Sequence, residues 1–167
     1  MGKRNAPPDL QWLRQVVRYD PDTGEIVRLK SNKGPNNRPG RVLGYKTKDG
    51  HIEINLSGKK WLAHRLAWYL TYAEWPHEID HKNGVASDNR ISNLRVATHS
   101  QNIANAGSRR SGMLKGAYRC SDGSGRWFSS IRIAEKNVHL GRFDTPEEAH
   151  AAYAKAAAAQ FGEFARL

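Results

Sequence analysis

The stretch AGSRRSGMLKG, Ala106–Gly116, constrains the fold most. Gly and Ser around a basic pair offer nothing to a packed core, and a segment of this composition is expected to be a linker. The chain therefore reads as two regions, 1–106 and 115–167, joined by 107–114. Each region must build its own core from a 167-residue chain that is only 38% apolar. There is one cysteine, Cys120, so no disulfide can form within the chain and no cysteine-rich zinc site can hold either core together. With no acid–base partner near it in sequence, Cys120 is expected to be inert.

Turn signals punctuate the first region. YDPDTGEIVRL reads as strand, turn, strand, with Pro21-Asp22-Thr23-Gly24 as the turn. SNKGPNNRPGR, Ser31–Arg41, is a polar loop. Hairpins are expected at Asp49-Gly50 and Ser57-Gly58, followed by a helix with Leu62, Leu66, Trp68 or Tyr69, and Leu70 on its apolar face. A second helix is expected after VATHS, because Thr98 and Gln101 have capping-box spacing. The second region holds three strand candidates, GAYRC, RWFSSIRI and NVHLGRF. A helix follows, with Thr145 as N-cap, Pro146 at N1, Glu148 as capping acid and Gly162 at its end. Ala149, Ala152, Tyr153, Ala156 and Ala159 are expected to form its buried face. Strands and helices in these proportions give an α+β fold.

Charge points to the partner. The chain carries 27 Lys and Arg against 16 Asp and Glu, a formal +11, with a pI near 10.0 and a mean hydropathy of −0.75. Such an excess bears on binding rather than on fold, and nucleic acid is the first candidate, an anionic membrane surface the second. No apolar run approaches the ~18 residues of a membrane span. The start, MGKRNAPPDLQW, lacks the apolar core of a signal peptide. A cytoplasmic protein is expected, with nucleic acid as partner, no membrane association and no protein partner evident.

One constellation stands out. Asp80-His81 closes a short apolar run, Asn93 follows His81 by twelve residues, and Asn102 lies nine further on at a helix start. A strand–loop–strand–helix unit can gather Asp80, His81 and Asn102 around one point. A carboxylate and an amide oxygen are hard ligands that suit Mg²⁺ or Mn²⁺. Neutral imidazole takes a proton from water near neutral pH. Its other ring nitrogen needs a partner, and the Asn93 side-chain oxygen can accept that N–H. The competing reading is a polar, Asn-rich loop without a metal. Asn83 and Asn89 read as loop residues. His64 is expected to brace the unit through a hydrogen bond or to contact phosphate, His77 to lie on the surface and His99 to lie near Asn102, where an approach to the metal is open. Asn89 and Arg90 are turn and phosphate-contact candidates, while for Arg95 a phosphate contact and a solvated face are both open.

EIDHKNG…DNRISNLRVATHSQN resembles the HNH endonucleases of phage and intron origin, the ββα-metal nucleases, in a His-Asn-Asn variant. His81, Asn93 and Asn102 match the three motif positions, and Asp80 matches the acid before the first. The resemblance implies His81 as general base, Asp80 and Asn102 as metal ligands, and Asn93 as the residue orienting His81. YDPDTGEI and AHRLAW resemble the part that accompanies this variant, so the likeness covers roughly residues 18–105.

The second region, KGAYR…GRWFSSIRI…VHLGRFDTPEEAHAAY, resembles the plant APETALA2/ethylene-response-factor DNA-binding domain over residues 115–165. That implies a small three-stranded antiparallel sheet packed on one helix. It also implies that Arg119, Arg126, Trp127, Arg132, His139 and Arg142 face DNA. The alternative is Trp127 and Phe143 in the core, with the arginines a solvated face. Together the two likenesses imply a phage or mobile-element endonuclease with a divalent-metal site and double-stranded DNA as its partner. The rival is a non-catalytic DNA-binding regulator whose first module has degenerated.

Overall fold

The computed structural model describes residues 6–30, 38–107, 113–134 and 136–167. The loop expected at Ser31–Arg41 and the link at 107–114 fall largely outside them. The chain divides into two compact units, Met1–Val96 and Ala97–Leu167. The division falls ahead of the helix that follows VATHS.

In the first unit, α1 (Leu10–Val16) starts where Asp9 accepts a hydrogen bond from the Trp12 amide at 2.6 Å. β1 (Val17–Tyr19) and β2 (Ile26–Arg28) pair antiparallel, Tyr19 opposite Ile26. The expected turn joins them, with the Gly24 amide donating to the Asp20 carbonyl at 2.9 Å. β3 (Tyr45–Lys46), β4 (Ile52–Leu56) and β5 (Lys59–Leu62) form a three-stranded antiparallel sheet. Ser57 and Gly58 both have positive φ, as a tight two-residue hairpin requires. β5 runs directly into α2 (Ala63–Tyr72).

Leu62 ends the strand rather than joining the helix face. The residues of α2 that are buried are Ala63, His64, Leu66 and Ala67. Leu13, Val17, Ile26, Ile54, Leu56, Trp61, Ala63 and Leu66 make the main core. β6 (Ile79–His81) and β7 (Leu94–Val96) pair antiparallel, setting Asp80 opposite Arg95 and His81 opposite Leu94. Ile79, Leu94 and Ala67 form a smaller core between this hairpin and α2.

The second unit begins with α3 (His99–Asn105), capped by Thr98 and Gln101 in the expected reciprocal box. β8 (Ala117–Arg119), β9 (Trp127–Ile133) and β10 (Lys136–Phe143) form an antiparallel sheet in the order β10-β9-β8. α4 (Pro146–Phe161) packs on it, with Thr145, Pro146 and Glu148 in their expected capping roles. Its buried positions are Ala149, Tyr153 and Ala157, while Ala159 is exposed. Spacings of four along one face replace the broader stripe expected, and the small alanines allow helix and sheet to approach closely. The C-terminal tail returns to α3: the Arg166 amide donates to the Ala104 carbonyl at 3.2 Å. Lys115 donates its ammonium to the carbonyls of Ala104 and Arg166.

The fold is thus α+β, built from small antiparallel sheets and short helices. Strand, strand and helix follow one another at β6, β7 and α3.

Candidate active site

β6 carries Asp80 and His81 as consecutive residues, and the alternation of a strand sends their side chains to opposite faces. Both are buried, at 7% exposure each. His81 ends the strand instead of beginning the turn. The loop from Lys82 to Arg90 then reverses the chain, and it is tightly bonded. The Lys82 amide donates to the Asn93 carbonyl at 2.8 Å, and the Gly84 amide to the His81 carbonyl at 2.8 Å. Asp88 accepts from the Arg90 guanidinium at 2.6 and 2.8 Å and from the Asn83 amide group at 2.8 Å. These donors hold the Asp88 carboxyl down at about 2, the Arg90 guanidinium contributing most.

The amide that meets the His81 ring is that of Asn89. Its Oδ1 lies 3.2 Å from His81 Nε2, in a buried contact. With Nε2–H donating to that oxygen, Nδ1 is the basic nitrogen. Asn93, expected in this role, spends its amide on the loop. Its Oδ1 accepts from the Asn83 backbone amide at 3.0 Å and its Nδ2 donates to the Asp88 carbonyl at 2.8 Å. Asn93 therefore shapes the turn that presents Asn89. Spacing alone does not say which of several loop amides faces the ring.

The N-terminal hairpin locks Asn89 in place. Tyr19 donates its hydroxyl to the Asn89 carbonyl at 2.7 Å, and the Ile91 amide donates to the Pro21 carbonyl at 3.0 Å. Burial pushes the Tyr19 hydroxyl's pKa well up, so it stays a donor. Gly24 closes on the same loop. A Cβ there would sit 2.5 Å from the Arg90 nitrogen and 2.6 Å from the Asn89 carbonyl carbon. YDPDTGEI is thus a structural brace for the His81 partner.

Asp80 Oδ2 accepts from Arg95 Nε at 2.8 Å, across the strand pair. Both side chains are nearly buried. Arg95 thus lies neither on a solvated face nor at the surface. A carboxylate oxygen on β6 remains the hard-donor chemistry expected for Mg²⁺ or Mn²⁺. Asn102 is the fourth residue of α3, its backbone amide bonded to the Thr98 carbonyl at 3.0 Å. It belongs to the second unit, as does His99 at the start of the same helix. His77 is exposed, as expected.

Two further histidines converge on His81. His51 precedes β4 and His64 is the second residue of α2. Ring centroids are 5.0 Å apart for His64 and His81, 5.4 Å for His51 and His64, and 5.9 Å for His51 and His81. One nitrogen from each ring lies within 4.8 Å of the others. His64, expected to brace the unit or to contact phosphate, has its Nδ1 buried without a hydrogen-bond partner among the described residues. Burial lowers the pKa of all three rings. For His64, the other two imidazoles and Arg65 add to the effect. For His81, the Asn89 hydrogen bond works against it. His51 carries no signal in sequence because it sits alone in a turn, thirteen residues from His64. Only the β4–β5 hairpin, folding back before α2, makes the two neighbours.

In the second unit the six residues expected at DNA do not share one face. Tyr118, Phe128 and His139 form an aromatic row, with centroids 5.3 and 6.1 Å apart. Arg132 lies on the Phe128 side by strand alternation, and Arg142 is directly opposite Phe128. Trp127 alternates with Phe128 and shares its side with buried Ser129 and Ile131, while Arg119 is opposite Trp127. Arg126 pairs with Asp144 at 3.0 Å and Arg142 with Asp122 at 2.9 Å, both exposed. Such pairs contribute little and exchange readily.

No curated protein gives a significant match to the chain. Among solved structures, a study of DNA binding and cleavage by the HNH homing endonuclease I-HmuI matches at 28% identity and a TM-score of 0.45. The match covers 59% of this chain and 55% of that one, so the chain spans about half the length of that relative. Residues 62–104, which hold α2, the β6–β7 hairpin and most of α3, match the family model described as HNH endonuclease.

Proposed function

We propose that the chain is a metal-dependent DNA endonuclease that hydrolyses phosphodiester bonds in duplex DNA. One observation carries the reading. Inside the segment that matches the HNH model, a buried imidazole, His81, has its Nε2 held at 3.2 Å by an amide oxygen and follows directly on a carboxylate.

His81 is the general base: with Nε2 committed to Asn89, Nδ1 accepts the proton of the attacking water. Asn89 is the positioning residue, and Asn93 holds the loop that carries it. Asp80 is an oxygen donor for Mg²⁺ or Mn²⁺ in this reading, and for Asn102 that role rests on the motif resemblance alone. When bound, that ion stabilises the charge that builds on the phosphate and on the leaving oxygen. His81 removes a proton, Asn89 fixes the ring that does so, and the basic surface brings the phosphate to them.

The C-terminal sheet serves as the recognition element in this reading. Tyr118, Phe128 and His139 with Arg132 and Arg142 make a face that combines stacking surface with cations. Arg119 and Trp127 lie on the other side of the sheet, outside that face. One site per chain makes a monomer a nicking enzyme. A phage or mobile-element origin, acting in a host cytoplasm, goes with the motif resemblance.

The test is plasmid nicking with Mg²⁺, Mn²⁺ or EDTA. Cleavage should need the ion and should vanish in His81→Ala, while DNA binding by that variant, carried by phosphate contacts elsewhere, stays within about twofold. Retained cleavage in His81→Ala would falsify the mechanism. A second reading, a DNA-binding regulator without activity, has one observation in its favour: Arg95 already engages the Asp80 carboxylate in a buried pair. Wild-type protein that binds plasmid but leaves it intact with either metal would decide for the regulator.

A further inference from the structure

We propose that His51, His64 and His81 form a binding site for a borderline transition-metal cation of the Zn²⁺ class, distinct in ligands from the oxygen site proposed for Mg²⁺. Three elements of one unit deliver the donors: the turn before β4, the first turn of α2 and the end of β6. One nitrogen of each ring already lies within 4.8 Å of the others. Tetrahedral Zn²⁺ with bonds of about 2.0–2.1 Å needs its nitrogens about 3.4 Å apart. Small ring rotations close that difference. His51, half-buried, is the ring with room to move, and its side of the cluster can admit water as a fourth ligand.

A second observation points to a ligand. Buried polar side-chain atoms normally find a partner, and those that do not call for an explanation. His64 Nδ1 is buried without one among the described residues, next to two other imidazoles. Three imidazoles and no carboxylate suit Zn²⁺, Ni²⁺ or Cu²⁺ far better than Mg²⁺, which prefers oxygen. Asn89 adds a hydrogen bond to one nitrogen of His81, the kind of outer contact that orients a histidine ligand.

A functional consequence rests on the endonuclease reading. His81 cannot both coordinate a cation and accept a proton from water. Zn²⁺ bound by the cluster would therefore stop cleavage, and added Mg²⁺ would not relieve it.

The site itself is tested on the full chain without DNA. Titration calorimetry with ZnCl₂ should give one saturable site per chain. Co²⁺ should develop the intense visible absorption of a tetrahedral complex, and Zn²⁺ should raise Tm. His51→Gln, at a half-buried position, should fold and bind Zn²⁺ at least about tenfold more weakly. His64→Gln, checked for folding by circular dichroism, should do the same. Absence of saturable binding in the wild type overturns the proposal. So does His51→Gln binding as tightly as wild type, which would place the ion at other histidines. Zinc binding without Mg²⁺-dependent nicking would count against the endonuclease reading alone, and nicking without zinc binding against the cluster alone.

Discussion

In the proposed reaction, the imidazole of His81 would work only as well as the amide that holds it. Asn89→Ala keeps the loop backbone bonds from Tyr19 and removes the Oδ1 at 3.2 Å from Nε2. The expected result is a loss of about ten- to a hundredfold in cleavage rate with DNA affinity kept, since a residue behind the reacting group costs about that much. An unchanged single-turnover rate would remove Asn89 from the mechanism. His64 leads to a pH prediction. Its pKa is depressed by folding, so above about 6.5 neither state is protonated and the folded form is fully favoured. As pH falls below that, the unfolded chain takes up a proton that the buried ring refuses. Stability should fall by about 1.4 kcal/mol per pH unit for that residue, until its folded pKa is reached. Urea denaturation at pH 7.5 and 5.5 reads the slope, and His64→Gln should make it shallower. Asp80, His81 and Asn102 are legible in sequence as a motif. The contacts of Asn89 and His51 with His81 are not, because they arise from loop closure and hairpin folding that no local spacing encodes.

Among elements, the β1–β2 hairpin holds the Asn89–Ile91 segment through Tyr19, Pro21 and Gly24. Gly24 has φ +78° and no room for a Cβ against Asn89 and Arg90. Gly24→Ala should destabilise the first unit by at least about 1–2 kcal/mol from the left-handed backbone alone. It should also slow cleavage by displacing the 89–90 segment. A denaturation midpoint equal to wild type, with unaltered cleavage, would separate the hairpin from the site. Capping boxes at Thr98 and Thr145 and the turns at Gly24 and Gly58 are readable because their signals span four residues or fewer. Periodicity overstates the apolar face of α4: alanine is so small that spacing alone does not rank Ala157 above Ala159.

At the scale of the whole molecule, the charge of +11 should make DNA affinity fall steeply with salt. Removing one phosphate-neutralising cation should reduce the log–log slope by about 0.9. The double substitution of Arg132→Ala and Arg142→Ala should thus lower it by about 2 if the aromatic face of the sheet lies on DNA. A slope equal to wild type would move recognition elsewhere. Substitution on that face is a cleaner experiment than truncation after the link, because α3 is held by the returning tail through Ala104 and Arg166. Cutting the chain there would also disturb the helix that carries Asn102.

The closure of Gly24 on Asn89 also bears on how such a protein can be inherited. The segment that matches the HNH model starts at 62 and leaves out the hairpin at 17–28. A gene fragment covering only that segment would carry His81, the proposed base, and lose the clamp on Asn89. Recombination that shuffles this motif, in nature or by design, has to move the hairpin with it or supply another tyrosine and another tight turn in its place.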